Sequence, residues 1–63
     1  MKFSTLLINL KTYEREEKVY TQYELTEIVG EFVVNRAIQR SETNTTIIKN
    51  NQSYKILIKY LKD

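Results

Sequence analysis

Three groups of residues in this 63-residue chain have types and spacings that could do chemistry. The first is Glu24, Glu27 and Glu31, which recur at i, i+3 and i+7 and share one side of a helix. Carboxylates so placed suit a hard cation. They suit equally well the solvated face of an amphipathic helix, which is the simpler reading. The second is Lys49, Lys55, Lys59 and Lys62 with Tyr54 and Tyr60, near the C-terminal end. Lysines along a strand can contact phosphates while tyrosines stack on bases. The plainer role of such lysines is to keep a strand soluble and discourage edge pairing. The third is Tyr13, Glu14, Glu16, Glu17 and Tyr20, an acidic stretch framed by tyrosines, a residue type enriched at protein interfaces.

Catalytic combinations are missing. There is no His and no Cys, which removes the commonest general base, the thiol nucleophile and zinc sites of the Cys/His type. A serine nucleophile would lack its usual base. The only glycine, Gly30, lies in a helical stretch, so no phosphate-cradling loop is present. Paired carboxylates for glycosidic chemistry need a cleft that a chain of this size is not expected to build. The expectation is a non-enzyme with no cofactor, no metal and no small-molecule substrate.

These groups are positioned by a central helix expected over Thr21–Arg40. Leu25, Ile28, Val29 and Phe32 form an apolar face at i, i+3, i+4 and i+7. Thr21 and Glu24 fit a capping box, and Tyr20 and Leu25 occupy the positions of a hydrophobic staple. Gly30, Val34, Ala37 and Ile38 form a second stripe, roughly opposite the first. This stripe serves either as further core or as a self-association face. The C-terminal stop rests on the polar run Ser41-Glu42-Thr43-Asn44.

Strands are expected on both sides. Lys2–Thr12 alternates, with Leu6, Ile8 and Leu10 on one face and Thr5, Leu7, Asn9 and Lys11 on the other. Tyr13–Tyr20 reads as a charged connection, with Lys18-Val19-Tyr20 as an alternative hairpin arm. Thr45–Lys49 is β-branched, Asn50-Asn51 suits a tight turn, and Ser53–Leu61 supplies a last strand with Tyr54, Ile56, Ile58 and Tyr60 on one face. The expected fold is one α+β domain over residues 1–63. Its order is β-α-β-β, a three-stranded, mostly antiparallel sheet covered on one face by a single central helix. The last strand inserts between the other two and is antiparallel to both. The second sheet face is expected to carry Phe3 or Leu7 with Leu57, Leu61 and lysine stems.

Charge is uneven rather than strongly basic. The net charge is +2, yet residues 14–31 hold six glutamates against Arg15 and Lys18, and the lysines gather after Thr43. The N-terminal apolar run is too short to span a membrane and lacks a small-residue cleavage site, so a cytoplasmic location is expected. A chain this short buries only about 60% of its unfolded surface, and the fold above leaves apolar area and strand edges open. A protein partner or self-association is therefore expected, as in a small regulator or inhibitor or a structural subunit of a homo-oligomer. Nucleic-acid binding through the lysines is the alternative. In size, lysine and isoleucine content and lack of catalytic groups, the chain resembles many short proteins of phages and plasmids.

Overall fold

The computed structural model describes residues 1–62. The elements are β1 (Lys2–Asn9), β2 (Arg15–Thr21), α1 (Gln22–Val29), α2 (Glu31–Arg40), β3 (Glu42–Lys49) and β4 (Gln52–Leu61). They build one four-stranded sheet in the order β2-β1-β4-β3, with every neighbouring pair antiparallel. The expected three-stranded sheet under a single helix is thus corrected twice. An extra strand is present, and the helix is two helices. Insertion of the last strand is as expected, since β4 lies between β1 and β3 and is antiparallel to both.

The extra strand is the stretch read as a charged connection. Arg15 to Thr21 pairs back on β1, with Phe3 opposite Tyr20 and Ile8 opposite Arg15. Asn9 makes the reversal possible. It is buried, and its Oδ1 accepts from Lys11 N at 2.8 Å and Thr12 N at 3.1 Å. Its Nδ2 donates to Gln52 Oε1 at 3.0 Å, and Tyr13 takes a positive φ of 62°. An Asn side chain bonding the backbone two residues on is a turn former in its own right. Charge masked the strand: as an edge, β2 is solvated along much of its length, so it needs little apolar alternation.

The helix divides at Gly30, whose φ of 91° and ψ of 159° no other residue type adopts readily. The division resets the phase. In one continuous helix Leu25 and Val34, nine residues apart, would lie about 180° apart. With the break, Leu25 of α1 and Val34 and Ala37 of α2 all turn to the sheet and are buried. So the stripe Gly30, Val34, Ala37 and Ile38 is largely core rather than an oligomer surface, because Val34 and Ala37 are fully covered and Ile38 packs against them. Conversely Phe32, expected on the core face, is 80% exposed. The capping box is present: Thr21 N donates to Glu24 Oε1 at 2.9 Å, and Glu24 N donates to Thr21 Oγ1 at 3.2 Å. Ser41, with φ 70°, ends α2. At the β3–β4 turn Asn50 and Asn51 have φ of 52° and 63°, as a type I′ hairpin requires.

The helices lie on the sheet face that carries Phe3, Thr5, Leu7 and Asn9 of β1 with Ile56 and Ile58 of β4. The expected orientation of β1 is reversed. Leu6 and Ile8 face away from the helices, beside Leu57 and Lys55. Both parities of β1 contain apolar residues, so alternation could not choose between them. The size of Phe3 and the hydrogen bonds of Asn9 decide.

Candidate interaction surface

Two regions of the sheet remain uncovered. The first lies on the helix side, beyond the end of α1. Leu7, Ile28, Ile47 and Ile56 form an apolar depression rimmed by Glu16, Lys18 and Lys49. Its cavity volume is about 100 Å³. That is well below the ~300–1,000 Å³ of small-molecule sites, so it suits a side chain more than a ligand. The same surface continues past Leu7 and Glu16 to Asn9, Gln52 and Tyr54, where Tyr54 Oη donates to Gln52 Oε1 at 2.9 Å.

The second is the entire sheet face turned away from the helices. Pairing register fixes its layout. Leu6 stands opposite Leu57, Ile8 opposite Lys55, Ser4 opposite Lys59 and Lys2 opposite Leu61. On one flank β2 adds Arg15, Glu17 and Val19, and on the other β3 adds Glu42, Asn44 and Thr46. Leu6, Ile8 and Leu57 therefore form an apolar patch across the two central strands, with Arg15, Lys55 and Lys59 around it, while Leu61 lies apart beyond the pairing of Ser4 with Lys59. Glu17 and Glu42 lie on the outer strands. A shallow concavity of about 650 Å³ opens on this face, lined in part by Leu6, Leu57, Glu17, Glu42, Lys59 and Arg40.

The three sequence constellations fare differently. Glu24 and Glu27 lie on α1 and Glu31 on α2. Glu24 is committed to the capping box, where the Thr21 backbone N–H holds its carboxyl below the usual value. Among the described residues no group of three or more acidic side chains is placed to hold a metal ion. Of the tyrosine-framed acidic stretch, Tyr13 and Glu14 lie in the β1–β2 connection, while Glu16 and Glu17 point to opposite faces of β2. Tyr20 is half-buried against the core with the Lys18 ammonium 5.3 Å from its ring centre. These five residues do not form one surface. The nucleic-acid set is divided as well. Lys55 and Lys59 lie on the open face, whereas Lys49, Tyr54 and Tyr60 lie on the helix side. Lys62 follows β4 and is exposed.

Two residues with structural roles escaped sequence reading. Asn9 shares its expected strand face with Thr5, Leu7 and Lys11, and its Asx turn has no signal beyond the residue type. Arg36 reaches from α2 to β3, with Nε donating to Thr43 Oγ1 at 2.8 Å and Nη2 to the Asn44 carbonyl at 3.1 Å. Its position seven residues before Thr43, across a helix end, gave no sequence cue.

No protein-family model matches the chain, and no curated protein or solved structure matches it. No helix among the described residues is long and apolar enough to cross a membrane. Fold and surface together define a small α+β domain with helices on one side of an antiparallel sheet and an open, apolar-and-basic face on the other.

Proposed function

We propose that this chain is a non-enzymatic protein-binding module, a small regulator or inhibitor that engages its partner through the open sheet face. One observation carries the reading. Leu6, Ile8 and Leu57 lie together across β1 and β4, with Arg15, Lys55 and Lys59 around them and Glu17 beside Leu6. Apolar area with a rim in which basic side chains outnumber carboxylates is complementary to a partner segment that presents apolar side chains beside carboxylates. The absence of His and Cys from the sequence supports a binding role over catalysis.

The lysines also keep a nucleic-acid reading in play, restricted to phosphate contact. Tyr54 and Tyr60 lie on the other side of the sheet from Lys55 and Lys59, and Lys49 alone of the strand lysines shares their side, so the set does not combine into one stacking and phosphate-binding surface.

Affinity capture from the source cells tests both, using wild type and Leu57→Lys, each with nuclease treatment. A protein retained by wild type and lost with Leu57→Lys is the expected result. Recovery of nucleic acid alone overturns the protein-binding reading, and protein capture unaffected by Leu57→Lys overturns its assignment to the open face.

A further inference from the structure

The sheet has two edges, and they differ in kind. Tyr60 N donates to the Ser41 carbonyl at 2.8 Å, continuing the β3–β4 ladder. In an antiparallel pair the backbone groups of alternate residues point to alternate sides. The odd-numbered residues of β3 therefore face β4, while Glu42, Asn44, Thr46 and Ile48 direct N–H and C=O outward. At the opposite edge, Asn9 N donates to the Glu14 carbonyl at 2.9 Å. Arg15, Glu17, Val19 and Thr21 are thus the outward residues of β2.

Charge guards only one of these edges against a second copy. Antiparallel self-pairing of β2 centred on any residue from 15 to 18 sets Arg15, Glu16, Glu17 or Lys18 against its own counterpart. Like charges directly opposite are destabilising. The Thr21 N–H is moreover already taken by Glu24. β3 has no such protection. From Thr43 to Ile48 it carries no charge and no proline, and Thr45, Thr46, Ile47 and Ile48 are β-branched. Ile48 is 77% exposed. The two charges of β3 sit at opposite ends, Glu42 and Lys49. Antiparallel pairing brings the acidic end of one strand to the basic end of the other.

We propose that β3 pairs with β3 of a second copy of this chain, antiparallel about a two-fold axis at Thr45. This register overlaps the strand from Glu42 to Ile48. It sets Thr45 against its own counterpart, Asn44 opposite Thr46 and Glu42 opposite Ile48, and opposes no like charges. Arg36 stays in place, since the Asn44 carbonyl has a second lone pair for the incoming N–H. The product is an isologous dimer with one continuous eight-stranded sheet, its helices on one side and its open faces joined on the other. The pairing is independent of whether the open face has an acidic partner.

Sedimentation or light scattering across roughly 1 µM to 1 mM tests it, with circular dichroism as the check on folding. Wild type is expected to pass from monomer to dimer. Thr46→Pro removes one outward N–H without touching the β4 ladder and abolishes the dimer. Substitutions at exposed Ile48 test the register even where the proline variant does not fold. Ile48→Glu faces Glu42 of the second copy and weakens dimerisation about tenfold or more, whereas Ile48→Lys faces the same Glu42 and leaves it equal or tighter. Val19→Lys, on the other edge, has no effect. A wild type monomeric at 1 mM overturns the proposal. So does a dimer that responds alike to Ile48→Glu and Ile48→Lys, or one lost with Leu57→Lys or Val19→Lys and kept in Ile48→Glu.

Discussion

The rings of Phe3 and Tyr60 stand opposite each other on β1 and β4, with centroids 5.2 Å apart and planes inclined at 33°. This tilted pair lies on the helix side of the sheet, in the geometry that aromatic pairs favour. It fixes which parity of β1 enters the core, and it withdraws Tyr60 from any stacking role at the surface.

Phe3 and Phe32 should therefore respond in opposite ways to truncation. Phe3 is fully buried and Phe32 is 80% exposed. Phe3→Ala should cost roughly 3–5 kcal/mol. Total stability is of order 3–9 kcal/mol for a 63-residue chain, so much of the Phe3→Ala population should be unfolded at 25 °C. Phe32→Ala should change stability by less than about 0.5 kcal/mol. Urea denaturation of the two variants checks this. Equal losses would place Phe32 in the core, as a single continuous helix requires.

Gly30 gives a sharper division between one helix and two. In the interior of a continuous helix, Gly30→Ala would stabilise by up to about 1 kcal/mol. Here φ is 91° and ψ is 159°, a region close to glycine-only. A Cβ at this position meets no atom within 4 Å, so the cost is backbone strain alone. Gly30→Ala should destabilise by roughly 1–3 kcal/mol. Thermal and urea unfolding read the sign directly.

Gly30 also shows where sequence pattern stops being informative. Each half of the helical stretch reads correctly alone: the capping box starts α1, and Val34, Ala37 and Ile38 have helical spacing. What a period of 3.6 residues cannot show is a change of phase between halves, because a helical Gly and a Gly at positive φ look alike in one sequence. The same holds for β1, where apolar residues of both parities leave the buried face undetermined until a partner strand supplies the register. The strands that form the turn at Asn50-Asn51, and the place of β4 between β1 and β3, were legible because turn chemistry and apolar continuity agreed. β2 was not, since an edge strand solvated along most of its length carries the composition of a loop. The open face with Leu6 and Ile8 follows from the register and has no sequence signal of its own; the sequence reading places Phe3 or Leu7 there.

The capping box supplies a pH-dependent prediction. The Thr21 backbone N–H, followed by its hydroxyl, lowers the Glu24 pKa below the ordinary value of 4.5. A carboxylate with a depressed folded-state pKa contributes stability that is fully present above the unfolded value. That contribution is lost as pH falls below 4.5 and through the folded value. Glu24→Gln keeps both hydrogen bonds of the box but cannot titrate. The stability difference between wild type and Glu24→Gln should thus shrink as pH is lowered from 7 through this range. Thr21→Ala removes the N-cap hydroxyl and should cost about 1 kcal/mol at neutral pH. Denaturant titrations at several pH values test both, and a wild type–Gln difference that does not vary with pH would remove the carboxylate from the cap.

Arg36 ties α2 to the outer strand, and its loss should be felt on β3 before it is felt elsewhere. Its guanidinium donates through two separate nitrogens, to the Thr43 hydroxyl and the Asn44 carbonyl. Bonds from a charged donor contribute about 1.5–3 kcal/mol when buried, and partial exposure lowers that figure. Arg36→Ala should destabilise by roughly 1–2 kcal/mol. Arg36→Lys should recover less than half of the loss, because an ammonium keeps the charge but not the planar fork that reaches both acceptors. Hydrogen exchange locates the effect: protection of β3 amides should fall more than that of β1 amides, since only β3 is held by this side chain. Full recovery with lysine, or an equal loss of protection across the sheet, would reduce Arg36 to a surface charge.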